Sequence, residues 1–372
     1  MKKQRFPKEI IENTKEVHQF ASSNRSKLIF IILFVLFVQC GAIYHKIPLA
    51  YEEKIAASNE FTGLVGSVEK IVNAGGNHYR KKAILERLSD YGLYESTRQE
   101  RIDWLSVQKN IIVEIPGKSD SLIYIVAHYN KADLNPLKIT SNYLNGLLDP
   151  LISWSYTTQG AIDNATGVAI ALQLAKSLSE SENEFSYRIL LAGSEESGLR
   201  GSRTHVARLS KEEFDKIMFV VNVDVVGVKG NQNCVYTVSN DKLESNAILV
   251  AEQNQFELGV GTFSFGVLSD YLPFKKTSFG LDFARSFAFN MTGSLLPLRS
   301  YFTKKKSTKI INFSACELLD VGDFVSGTVL LPVGSFHGFR DNIKKVDPQK
   351  LHEMYQLIHL FLQEKEKSMT GN

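Results

Sequence analysis

The amino-acid sequence predicts an α/β domain, a largely parallel sheet covered by helices on both faces, preceded by one transmembrane helix. Two observations predict it. From about residue 107 onward, short apolar runs alternate with segments whose apolar positions recur three and four apart. Strands alternating with helices in this way imply a doubly covered, mostly parallel sheet. Ahead of them lies a long apolar stretch without a single charge.

The first 27 residues hold seven of the 43 Lys and Arg but only three of the 40 Asp and Glu, so the body of the chain is close to neutral. That balance does not suit nucleic acid, which calls for a basic face. The short run Lys304 to Lys306 reads as a solvated loop. "LIFIILFVLFVQCGAIY", Leu28 to Tyr44, would extend roughly 26 Å as a helix at about 1.5 Å per residue, nearly the depth of a bilayer core. With the flanking "HKIP" the segment 28–47 reads as an uncleaved signal anchor in contact with the lipid bilayer. The basic tail 1–27 then stays cytoplasmic and the body lies outside the cytoplasm, whether periplasmic, lumenal or extracellular. Two rivals are a buried core helix, which would not be apolar all round, and a cleaved signal peptide. The latter would have a long n-region and an indifferent cleavage site at "VQCGA".

Residues 51–95 read as helical, with "FTGLVGSVEKIVNAG" and "RKKAILERLSDYGL" expected to cover one side of the sheet. "QKNIIVEIPGKSDSLIYIVAHYN" reads as two paired strands with a turn between them. "NATGVAIALQLAKSLSE" is helical, "FSYRILLAGSEE" a strand, "RGSRTHVARL" the start of a helix and "IMFVVNVDVVG" a strand. A single domain from 52 to 366 and a tail from 367 to 372 is the simplest division. Stretches 131–159 and 284–324 interrupt the alternation and are each too long for an ordinary connection. They are expected either to lie over the functional site or to pad a distant edge. Of the three cysteines, Cys40 falls in the anchor, and Cys234 and Cys316 are either bridged or two buried thiols.

Acidic and histidine side chains recur where apolar strands end: His128 after "LIYIVA", Glu195 and Glu196 after "RILLAGS", Asp224 in "VVNVDVVG". In open α/β sheets such positions converge beyond the carboxyl ends of the strands. Taken singly, each has a plainer reading: His128 as a hydrogen-bonded core residue, Asp163 in "GAIDNATG" as a helix N-cap. Asp224 among valines, however, would carry a heavy desolvation cost without a cation. As a set, His, Asp and Glu without thiolates suit zinc or another first-row divalent ion.

The series "IVAHYN", "GAIDNATGVAIALQLA", "AGSEESGLRGSR", "VNVDVVG", "SDYLPF" and "FHGFRDNIKKVD" resembles, in its order, the co-catalytic zinc aminopeptidases, family twenty-eight of the metallopeptidases. Bacterial leucyl aminopeptidases, glutamate carboxypeptidase and glutaminyl cyclase share that family. The resemblance spans about residues 107 to 350 and implies a three-layer α/β/α zinc-exopeptidase fold with a mixed, mostly parallel sheet. It implies two zinc ions: His128 and Asp224 on one, Glu196 and His337 on the other, and Asp163 bridging. Glu195 would be the general base toward the water between the ions, and peptide or protein N-termini the substrate. One departure is Asn130 in "HYN", where the family usually has an aspartate bonded to the metal-binding imidazole. Its uncharged amide oxygen should leave His128 a less basic ligand and one zinc weakly held. A second is distance: some sixty residues separate "SDYLPF" from His337. That leaves His352 and His359 as alternatives, unless these simply belong to a terminal helix packed on the sheet. Against the peptidase reading stand a cyclase with one zinc and a non-catalytic scaffold retaining the fold. Side-chain preference and oligomeric state are not encoded in any motif.

Overall fold

The computed structural model describes residues 49, 58–102, 106, 108–131, 158–196, 199–238, 242–261, 269–275, 308–316 and 340–370. The elements among them are α1 (Asn59–Ala74), α2 (Asn77–Asp90), β1 (Thr97–Arg101), β2 (Lys109–Ile115), β3 (Ser119–His128), α3 (Thr166–Ser179) and β4 (Phe185–Ala192). Then follow α4 (Arg200–Arg208), α5 (Lys211–Asp215), β5 (Ile217–Val223), β6 (Asn233–Thr237), α6 (Leu243–Gln253), β7 (Gly259–Gly261), β8 (Lys309–Ala315) and α7 (Pro348–Thr370).

Among the described residues one eight-stranded sheet runs in the order β1-β2-β4-β3-β5-β8-β6-β7. Its centre, β4-β3-β5-β8, is parallel, and β6 joins β8 antiparallel. The mixed, mostly parallel α/β class expected from the sequence is therefore present. Period-two alternation sorts the side chains between two cores. Ile123, Ile125 and Ala127 of β3 bury with α1, α3 and α7, whereas Leu122, Tyr124 and Val126 bury with Val206 of α4 and Phe214 of α5. Truncating one of these, Ile125→Ala for example, would cost about 2–5 kcal/mol through lost transfer energy and the cavity left behind.

Two expectations need correction. β2 and β3 do not pair with each other: β4 lies between them, antiparallel to β2 and parallel to β3. The turn at Gly117 straddles the start of β4, its N–H donating to Ser186 Oγ at 3.0 Å. A Cβ on Gly117 would collide with the Phe185 carbonyl, so a glycine is required where the chain passes over its neighbour. Second, the stretch 284–324 is not wholly irregular, because it contains β8, which pairs with β5 along Phe219–Val223 and so belongs to the sheet interior.

The helices end where local chemistry stops them. Ser58 caps α1 by accepting the Phe61 N–H at 3.0 Å, and Gly75 ends it at φ +86°. His352 and His359 lie on α7, where His352 meets Phe61 edge-on and His359 stacks on Tyr355. The packing reading therefore holds for both of them. Cys234 and Cys316 are joined in a disulfide that ties β6 to the end of β8. Among the described residues no helix is long and apolar enough to cross a membrane. The expected anchor 28–47, the basic tail, Cys40, most of both insertions and His337 lie outside those residues.

Candidate metal centre

Three strands deliver their ends to one place. His128 is the last residue of β3, Asp224 follows β5, and the turn after β4 carries Glu195 and Glu196. Because β3, β4 and β5 are parallel neighbours, their carboxyl ends sit side by side. Asp163 arrives from the turn ahead of α3. There the capping role falls to the next residue, Asn164, whose Oδ1 accepts the Gly167 N–H at 3.0 Å and whose amide donates to the Val223 carbonyl at 2.9 Å. Asp163 faces the histidine.

His128 Nε2 lies 3.0 Å from Asp163 Oδ1 and 3.2 Å from Asp224 Oδ1, all three residues being buried. Ligand atoms of His128, Glu195 and Glu196 also lie within 4.8 Å of one another. The sequence-predicted residues His128, Asp163, Glu195, Glu196 and Asp224 thus come together.

The imidazole is held by the backbone. Its Nδ1 sits 2.9 Å from the main-chain carbonyl of Asn130, an acceptor only, so Nδ1 carries the proton and donates. This corrects the expectation for Asn130, whose side chain does not reach the ring: its Oδ1 accepts the Glu195 N–H at 2.9 Å. With Nδ1 protonated, a neutral ring presents the Nε2 lone pair to two carboxylate oxygens. Three acceptors converging in a buried place require a proton or a cation among them. The donor set, one imidazole nitrogen and carboxylate oxygens without a thiolate, fits zinc.

Electrostatics tell the same story in the absence of a cation. Burial opposes charge on His128, but Asp224, Glu195 and Asp163 outweigh it and hold the ring well above its usual range. Glu195 is pushed well above the ordinary carboxyl range by burial; the positive His128 opposes this, and Glu196, Asp270 and Asp224 reinforce it.

The backbone around the centre is unusual. Ser194, Leu199 and Val225 have φ of +56°, +58° and +56°, a left-handed conformation that non-glycine residues adopt only when their surroundings dictate it. Arg80, fully buried in α2, donates to the carbonyls of Tyr129, Gln159 and Gly160 at 2.7, 3.0 and 3.0 Å and so staples the exit of β3 to the turn bearing Asp163.

Four residues near the centre had no role in the sequence reading. Asp270, inside "SDYLPF", is fully buried and pushed up to about 6 by burial, against His128 and Ser202 and with Asp224. Asp341 is pushed up to about 7 by burial and the charge of Asp163; its oxygens accept the Ile162 N–H at 2.7 Å and the Thr158 hydroxyl at 2.9 Å. Gln108 and Asn110 stand at the start of β2, and the only sequence signal for them was two amides spaced by two ahead of an apolar run.

A family model, Peptidase family M28, matches residues 110–362. Over 170 residues the chain is 26% identical to Aminopeptidase YwaD of Bacillus subtilis (strain 168), a match covering 45% of this chain and 32% of that protein. The chain therefore spans about a third of the length of that curated relative. Among solved structures, a glutaminyl cyclase from an Acidobacteriales bacterium superposes with a TM-score of 0.58 at 14% identity, covering 86% of this chain and 99% of that one. A leucine aminopeptidase precursor from Bacteroides thetaiotaomicron superposes with a TM-score of 0.54 at 15% identity, over 82% and 96% of the two chains. At these identities the two structures speak for the fold alone.

Proposed function

The chain belongs to Peptidase family M28, and from that premise we propose that it is a zinc-dependent aminopeptidase, anchored in a membrane, that acts on peptide or protein N-termini outside the cytoplasm. The observation that carries the activity is the convergence of His128 Nε2 on Asp163 and Asp224, with Glu195 and Glu196 alongside.

In this reading His128, Asp163, Glu196 and Asp224, with His337 from beyond the described residues, would hold two zinc ions. Bound there, zinc supplies Lewis acidity toward the scissile carbonyl and makes a neighbouring water more acidic. Glu195 takes the proton of the attacking water and delivers it to the leaving amine. Asn130, bonded to the Glu195 N–H, keeps the base's backbone in place.

Location outside the cytoplasm is supported by the charge-free run 28–44, with Lys and Arg crowded before it, and by the Cys234–Cys316 disulfide, since such bridges persist in oxidising compartments.

Purified protein tested for bound zinc, and incubated with peptides bearing free or acetylated N-termini, checks the proposal. Zinc near two per chain, with cleavage of the free-amine set alone, is the expected result. Cleavage of acetylated peptides would exclude a strict aminopeptidase, and pyroglutamate formation without hydrolysis would point to a cyclase.

A further inference from the structure

We propose that three carboxamide side chains, Gln108, Asn110 and Asn130, form a clamp that positions Glu195 for proton transfer, an inference that rests on the peptidase reading above. Three consecutive N–H groups leave β4, and each donates to a side-chain amide oxygen. Gly193 donates to Asn110 Oδ1 at 3.2 Å, Ser194 to Gln108 Oε1 at 2.8 Å, and Glu195 to Asn130 Oδ1 at 2.9 Å. The β2–β4 ladder runs only as far as the Ile111–Leu191 pair. Beyond it, side chains replace the missing strand as hydrogen-bond partners.

Gln108 and Asn110 stand two residues apart at the head of β2, so both project to the same face of the sheet. Asn110 also donates from its amide nitrogen to the Gly201 carbonyl at 2.9 Å and to Glu100 Oε2 at 2.9 Å. It therefore grips both ends of the turn from Gly193 to Gly201. That turn is closed tightly: a Cβ on Gly201 would collide with the Gly193 carbonyl and with Asn110 itself. Ser106 adds a contact to Ser194, Oγ to Oγ at 2.8 Å.

The turn needs such support, because Ser194 and Leu199, which flank the two glutamates, are both held at positive φ. Backbone of that kind persists only where its surroundings over-determine it. The clamp acts on the backbone of Glu195 and touches none of His128 Nε2, Asp163 or Asp224. Of the assigned ligands only Glu196 shares that turn, so the clamp's loss should misplace the base while His128, Asp163 and Asp224 keep their places. The three carboxamides are positioning residues.

The test uses the full chain and two variants of one residue. Gln108→Met removes the acceptor at similar volume, and Gln108→Glu keeps an acceptor oxygen. Amide hydrogen exchange across residues 190–199, zinc content, and kcat and KM on a peptide with a free N-terminus are measured for each. In Gln108→Met, exchange at Ser194 and kcat should change about tenfold, faster and slower respectively, with KM and zinc content within about twofold of wild type. Gln108→Glu should restore both. Unchanged exchange or unchanged kcat in Gln108→Met, a parallel loss of zinc, or failure of Gln108→Glu to rescue would each overturn the clamp alone. A wild type that hydrolyses no peptide would overturn the peptidase reading, and the clamp's catalytic role with it. Should Gln108→Met not fold, Asn130→Ala with Asn130→Asp as the rescue asks the same question.

Discussion

The Nδ1–H of His128 donates to the main-chain carbonyl of Asn130 at 2.9 Å, so the ring is oriented by backbone that any residue at position 130 would supply. The neighbouring side chain is occupied elsewhere, accepting the Glu195 N–H. The charge of residue 130 is therefore not transmitted through a bond to the imidazole. Asn130→Asp, which keeps an acceptor oxygen, is expected to change zinc affinity by less than about threefold, against the roughly 10- to 100-fold typical of a true imidazole partner. Competition with a chelator measures it, and a gain of tenfold or more would show that the side chain does reach the ring.

The two adjacent glutamates should separate cleanly by substitution. Glu195→Gln removes the base and leaves the ligands, so kcat should fall by about 10²–10⁴-fold with zinc content unchanged. Glu196→Ala should lose zinc together with activity. Elemental analysis beside initial rates distinguishes them. Full zinc in Glu196→Ala would mean that the two roles are exchanged.

The residues that converge at the centre were legible because they break a pattern. His128, Glu195, Glu196 and Asp224 are polar groups at the ends of apolar runs, and parallel strands bring such ends together whatever the loops do. Strand neighbours were not legible in the same way. β2 and β3 adjoin in sequence, yet β4 enters between them, a choice made by long-range packing that no local turn encodes. β8 was hidden for a related reason: "KIINFSA" is a short run inside an irregular stretch, and only its pairing with β5 makes it a strand. The part played by Asn130 was misread because the decisive acceptor is a carbonyl, which every residue possesses. Gln108 and Asn110 left only the trace of two amides where a buried strand should be apolar.

The disulfide offers a test of stability. Cys234 is fully buried, and the bridge joins residues 82 apart in sequence across β6 and β8. Closing so long a loop restricts the unfolded chain, and losing it should cost about 2–5 kcal/mol. Denaturant unfolding with and without a reductant is the measurement. The Cys234→Ser/Cys316→Ser protein should match the reduced wild type and ignore the reductant; a wild type indifferent to reduction would exclude a stabilising bridge.

Stripped of metal, the protein should lose stability as pH rises from mildly acidic to neutral. Asp270 and Asp341 have ordinary values of 3.8 when unfolded but are pushed up to about 6 and about 7 in the fold, burial being the largest cause for both. The folded chain then binds protons more tightly than the unfolded one. Their contribution is complete below 3.8 and is lost as pH rises through about 6 and about 7. Each group can lower the unfolding free energy by at most about 1.4 kcal/mol per pH unit within its window. Glu100 runs the other way. Burial opposes its ionisation, yet hydrogen bonds and charge from His205, with the Asn110 amide, hold its carboxyl below 4.5, so its contribution is present above that value and is lost in acid. Above 4.5 the Glu100 contribution is already in place, so only the decline from Asp270 and Asp341 remains. Urea unfolding of chelator-treated protein at several pH values should show the decline toward neutrality, and Asp341→Asn, which cannot ionise, should flatten it above pH 5. An equally steep decline in that variant would mean that Asp341 is not the group releasing its proton.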